Sequence, residues 1–157
     1  STKINVITNL IKKVNNIVIV GAMATNFLVH KNLKVGKSLI EKNTKEIIAN
    51  IYKKAEEHNC KIIIPEDCIV GTDFEGTGKN KNLDEIQENE IILDIGFNTI
   101  KKIQKKINES NTVLWNGPAG YFENKNFLKG TLKKNLRLFN DHLKMIKYYI
   151  KSIYKLR

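Results

Sequence analysis

The chain has 157 residues, 41% of them hydrophobic and 27% charged, a globular composition that excludes a disordered tail, a collagen-like fibre and a disulfide-stapled miniprotein and allows one core of ordinary size. Its longest uninterrupted apolar run, Ile17–Val20, is four residues, far short of the roughly 20 that a membrane-spanning helix needs. The net charge of +11 is uneven, with 19 basic and 15 acidic side chains in residues 1–130 against 8 and 1 in residues 131–157; since Lys, Ile and Asn, all with codons rich in A and T, make up 68 of the residues, coding bias accounts for the lysines and a nucleic-acid partner is not expected.

In chain order, Ile17-Val18-Ile19-Val20 is a β-branched run ending at Gly21, and Ala22 to Lys31 suits a helix, which together read as strand, turn and helix. Asn43 is placed as the N-cap of the next helix, with Glu46 three residues on and Ile47, Ile48, Ile51, Tyr52 and Ala55 at helical spacing. Lys61–Ile64 is the following strand, stopped by Pro65, and Cys68-Ile69-Val70 continues as a short edge piece. Gly71 to Asn82, with three glycines and little apolar content, reads as a surface loop. Ile91 to Ile95 forms a short strand or turn, and Asn98 to Ile107 sets Ile100, Ile103 and Ile107 on one helical face. Thr112–Trp115 is the last strand, and Phe122 to Phe139 is mostly helical in pattern.

Strands with little in-out alternation, each followed by an amphipathic helix, predict an α/β fold: a partial parallel sheet with helices on both faces, three-layered and Rossmann-like. Anions bind such sheets at the strand ends, where helix N-termini present unpaired N–H groups. Gly21, Pro65-Glu66-Asp67, Asp94-Ile95-Gly96 and Asn116 to Glu123 are therefore expected along one edge.

Several motifs fall away. Cys60 and Cys68 lack the spacing of a zinc site and read as reduced, buried thiols, and His30, His58 and His142 have no catalytic companions at a diagnostic distance. Gly36-Lys37-Ser38 ends like a phosphate loop, but Lys31 stands where the first glycine belongs; Gly71 to Lys79 has Thr77 in place of the lysine; and no three-glycine dinucleotide fingerprint occurs. Trp115-Asn116-Gly117-Pro118-Ala119-Gly120-Tyr121-Phe122-Glu123 is different. Its glycines and proline allow close backbone approach to a flat ligand, Asn116 offers donors and an acceptor, and Glu123 can accept two ribose hydroxyls. A tight turn explains the glycines and proline equally well.

Taken together, these residues resemble the C-terminal nucleotide-binding domain of phosphoglycerate kinase, from Ser1 to about Thr131. Ser1-Thr2-Lys3-Ile4 is similar to the end of that family's glycine and lysine motif, Gly21-Ala22-Met23-Ala24 to its glycine-rich turn and Gly36-Lys37-Ser38-Leu39 to its next marker. Pro65-Glu66-Asp67, Asp94-Ile95-Gly96 and Trp115–Glu123 follow in the family's order. The resemblance implies a cytoplasmic glycolytic kinase that moves a phosphoryl group between ATP and 3-phosphoglycerate with magnesium. It implies that Lys3 contacts the nucleotide phosphates and the transferring phosphoryl group, that Glu123 binds the ribose hydroxyls, and that the turns at Gly21 and from Asn116 to Gly120 line the nucleoside and phosphate site.

Departures from the family accompany the match. Val20-Gly21-Ala22 keeps one glycine where the family usually has three, which is expected to crowd the adenine side; Ile92 replaces a common glycine, and Phe97 a usual proline. The family's N-terminal phosphoglycerate domain, the strand leading to Lys3 and the final glycine-rich loop with its aspartate have no counterpart here, so this chain is expected to supply one wall of the active cleft; the sequence opens on Ser1 without an initiator Met, which leaves a start upstream open. Residues 1–131 are read as an incomplete nucleotide-binding domain. Residues 132–157 are read as a divergent basic tail in which Leu132, Leu136, Phe139, Leu143, Ile146, Ile150 and Ile153 form the apolar seam of an amphipathic helix. Three functional readings follow: a nucleotide-binding half that works with a separate N-terminal half, an inactive degenerate fragment, or a basic interaction module acting through the tail.

Overall fold

The computed structural model describes residues 2–131, with side chains from residue 6 onward; the expected tail helix lies outside the described residues. The chain opens with helix α1 (Thr2–Ile11), followed by strand β1 (Asn16–Val18), helix α2 (Ala22–His30), helix α3 (Lys45–Glu57) and strand β2 (Lys61–Ile63). β1 and β2 pair in parallel, Ile17 opposite Ile62, and Ile19 N–H continues the ladder to Ile63 O at 2.8 Å.

Successive strand residues point to opposite faces, and here both faces are apolar. Ile17, Ile19, Ile62 and Ile64 pack with Ile7 and Ile11 of α1, Phe27 of α2 and Ile48, Ile51 and Ala55 of α3. Val18 and Val20 face the other way, onto Ile100 and Ile103 of helix α4 (Phe97–Asn108). Burial on both sides explains the unbroken β-branched run and gives the three-layer α/β arrangement, a parallel pair with helices on both faces, that the sequence predicts.

A second sheet departs from that expectation. Strands β3 (Asp67–Gly71), β4 (Lys79–Asn82) and β5 (Ile91–Ile95) form a three-stranded sheet of order β4-β3-β5, antiparallel throughout. The Cys68–Val70 segment, expected at an edge, is its central strand, and part of the expected 71–82 loop is β4. The cause is compositional: β4 reads Lys-Asn-Lys-Asn and joins through its backbone, which apolar pattern cannot reveal. Cys68 and Val70 face Ile86 on one side, whereas Ile69 meets Leu93 and Phe127 on the other.

Three local expectations are corrected. α3 is capped at Thr44 rather than Asn43, since Asn43 has φ 59° and turns the chain before the helix. Thr112–Trp115 forms no strand, because β-branched and aromatic residues permit a ladder but a neighbour must supply it. In place of a continuous helix from Phe122, the described residues hold turns and a 3-10 turn at Lys125–Phe127, with helix again at 129–131.

Candidate functional site

β1 delivers Gly21 to the edge of the parallel pair. Its φ of +65° is a conformation that side chains rarely adopt, and a Cβ there would lie 3.3 Å from Pro118 O. α2 begins at the next residue with no side-chain cap on its first turn; Ala24 N–H bonds back to Gly21 O at 2.9 Å, and the helix N-terminus there favours an anion. The connection from α1 to β1 spans only residues 12–15, α1 packs through Ile7 and Ile11 on the same apolar cluster as Ile17 and Ile19, and Lys3 belongs to the first turn of α1.

Opposite Gly21 stands the turn Asn116–Gly120. Ala119 is 1% exposed among Ile95, Ile100 and Ile103 and donates its N–H to Thr131 Oγ1 at 3.0 Å, while Tyr121 N–H donates to Leu93 O at 2.7 Å. Gly120 sits directly on the end of β5, where a Cβ would lie 2.5 Å from both Leu93 O and Asp94 Oδ1. At Gly117, φ +83°, an added Cβ would meet nothing within 4 Å, so this backbone is open to a ligand. Asn116 and Glu123 are both exposed.

The structure thus brings Gly21 and the Asn116–Gly120 turn face to face. Glu123 lies three residues beyond Gly120, next to Asn124, whose side-chain N–H groups donate to Phe74 O and Gly76 O and pin the β3–β4 loop. No described contact joins Glu123 to Gly21.

Two buried carboxylates hold this edge together. Asp67 is fully buried and receives Thr99 N–H at 2.8 Å, the Thr99 hydroxyl at 2.7 Å, Asn98 N–H at 3.0 Å and the Asn80 amide at 3.2 Å, serving as a cap supplied by β3 to the N-terminus of α4. Burial by itself raises the pKa of this carboxyl, but the hydrogen bonds from Thr99, Asn98 and Asn80 outweigh it and hold the group below the ordinary carboxylate range. Gly96 is required beside it, because a Cβ there would lie 2.2 Å from Asp67 Cγ. Asp94, 2% exposed, accepts Ile95 N–H at 2.8 Å on Oδ1 and Gly130 N–H at 2.8 Å on Oδ2.

Both aspartates lie in segments that the sequence marks as strand ends, yet their bracing role is not visible there, and Asn80, Thr99 and Thr131 are missed altogether. The available signal is a glycine beside each carboxylate's landing point: Gly96, Gly120 and Gly130. The phosphate-loop lookalike is structural, as Lys37 N–H donates to Glu90 O at 2.7 Å and Ser38 Oγ accepts Ile92 N–H at 2.8 Å. Ile92 packs with Cys68, Val70 and Ile86. Both cysteines are free and buried, and burial, with the Asp67 and Asp94 charges, pushes the Cys68 thiol up to about 12.

Residues 1–145 match the phosphoglycerate kinase family. The phosphoglycerate kinase of Wolbachia pipientis wMel is 41% identical over 133 residues, 84% of this chain and 33% of the relative; that of Borreliella burgdorferi is 44% identical over 138 residues, 85% of this chain and 34% of the relative. The structure of phosphoglycerate kinase from Coxiella burnetii superposes with a TM-score of 0.81 at 34% identity, over 85% of this chain and 35% of that one. The Pyrococcus horikoshii enzyme, at 22% identity and a TM-score of 0.68, shares the fold. This chain therefore spans about a third of the length of these relatives, and with the family's motifs in order on a matching fold it belongs to the phosphoglycerate kinase family.

Proposed function

We propose that this chain is the nucleotide-binding wall of a phosphoglycerate kinase, binding ATP or ADP and working with a separate polypeptide that carries the N-terminal half and the phosphoglycerate. The observation that carries the reading is the facing pair of turns: Gly21 at positive φ, heading an uncapped helix N-terminus, opposite Asn116–Gly120 with open space over Gly117. Glycine backbone and a helix N-terminus suit a polyphosphate. In this reading Lys3, in the first turn of α1, supplies the charge that steadies the nucleotide phosphates and the transferring phosphoryl group, and Glu123 takes the ribose hydroxyls.

The nucleotide brings magnesium on its phosphates, and the metal neutralises charge that builds up during transfer. In-line transfer needs both substrates held face to face in a closed cleft, so the lone chain binds nucleotide without turning it over. Residues 1–131 constitute the nucleotide-binding unit in this reading, and residues 132–157 an appended basic segment. Calorimetric titration of MgATP and MgADP into the purified chain tests it: saturable binding weakened about tenfold or more by Glu123→Ala is expected, as for loss of a charge-assisted hydrogen bond. Absence of binding at millimolar nucleotide by a folded chain overturns it.

A further inference from the structure

We propose that Asp94 is a positioning residue: its buried carboxylate latches the Asn116–Gly120 turn and the start of the following helical segment onto the end of β5, and so sets the shape of the nucleotide site. The inference rests on the nucleotide-binding reading above.

Four contacts converge on this point. Asp94 Oδ2 accepts Gly130 N–H, and Oδ1 accepts Ile95 N–H. Gly120 and Gly130 approach so closely that a Cβ on either would lie 2.5 or 2.2 Å from Oδ1. Thr131, one residue past Gly130, accepts Ala119 N–H, which closes a ring running from Asp94 through Gly130 and Thr131 to Ala119 and back through Gly120. Ala119 in turn abuts Gly21 across the site, as a Cβ on Gly21 would lie 3.9 Å from Ala119 O. Both Asp94 oxygens accept from backbone N–H groups, so an asparagine must aim its own NH2 at one of those donors, and the carboxylate cannot be replaced without opening the ring.

The test combines amide exchange with MgADP titration on Asp94→Asn, Thr131→Val, the double variant and Glu123→Ala. For Asp94→Asn, exchange at Gly130 is expected to accelerate about tenfold while α3 amides stay protected, and MgADP affinity is expected to fall about tenfold. Thr131→Val should act alike at Ala119, and the double variant should lose less than the product of the two, because both act through one turn. Faster exchange with MgADP affinity unchanged in Asp94→Asn, while Glu123→Ala weakens it, overturns the positioning role and leaves nucleotide binding standing. Unchanged exchange at Gly130 overturns the latch itself. If the wild-type chain binds no nucleotide, the nucleotide reading fails and takes the ligand half of this proposal with it. Should Asp94→Asn fail to fold, Thr131→Val alone decides, since it removes one hydroxyl at a partly exposed position.

Discussion

The two sheets of this molecule are held together by different physics. The parallel pair β1–β2 is an oil-filled sandwich, in which isoleucines and valines from both strand faces meet α1, α2 and α3 on one side and α4 on the other. The antiparallel sheet β4-β3-β5 has smaller apolar clusters and leans on two buried aspartates that bind backbone N–H groups of α4 and of the segment after it. Apolar burial is non-directional and tolerates rearrangement, whereas a buried carboxylate works only where each lone pair meets a donor. The candidate site lies where the two regimes join, with Gly21 from the first facing a turn that the second positions.

The largest effect should come from the apolar side. Phe27, 1% exposed within the main cluster and edge-on to Tyr52 at 5.9 Å, leaves a cavity when cut to alanine. Phe27→Ala is expected to cost about 3–5 kcal/mol, read as a lowered urea midpoint. A loss under about 1 kcal/mol would mean that the parallel half repacks freely and would erase the contrast.

Next is Asp67→Asn. Whichever way the amide turns, its NH2 faces a backbone donor of Asn98 or Thr99, and the loss should be about 1–3 kcal/mol at neutral pH. The folded-state pKa of Asp67 is lowered, so its contribution is fully present above the unfolded value of about 3.9 and is lost as pH falls through the folded value. Urea midpoints of the wild type should therefore decline below about pH 4 more steeply than those of Asp67→Asn. Parallel curves would show that Asp67 acts as a neutral acceptor and that its hold on α4 owes nothing to charge.

The same contrast governs what the sequence discloses. Ile17–Val20, the Ile47–Ala55 periodicity and Ile100/Ile103 reveal the parallel layer and its helices because apolar spacing is their cause. β4 is invisible to that reasoning, since Lys-Asn-Lys-Asn is held by its backbone ladder to β3. Thr112–Trp115 misleads in the opposite direction, having strand chemistry but forming none of the strands among the described residues. At the site, Gly21 and Asn116–Gly120 are legible because positive φ and close approach demand glycine. The bonds from Asp94 to Gly130 and from Ala119 to Thr131 join residues whose pairing only the fold determines, so their single-residue identities carry no mark of it.

The smallest effect sharpens the boundary between the two regimes. Phe97 occupies the first position of α4, where proline is well tolerated because its missing N–H belongs to a donor without an intrahelical partner. In this chain that donor is used: Phe97 N–H donates to Asn80 Oδ1 at 2.9 Å, and the Asn80 amide in turn donates to Asp67 Oδ2, so β4 reaches the helix cap through one side chain. Phe97→Pro gains about 0.4–1 kcal/mol by stiffening the unfolded chain and loses about 0.5–1.5 kcal/mol with the hydrogen bond. A net change within about 1 kcal/mol of zero is expected in thermal unfolding. If the substitution stabilises by the full entropic amount, the Asn80 bridge contributes nothing, and the polar cap on α4 rests on Asp67.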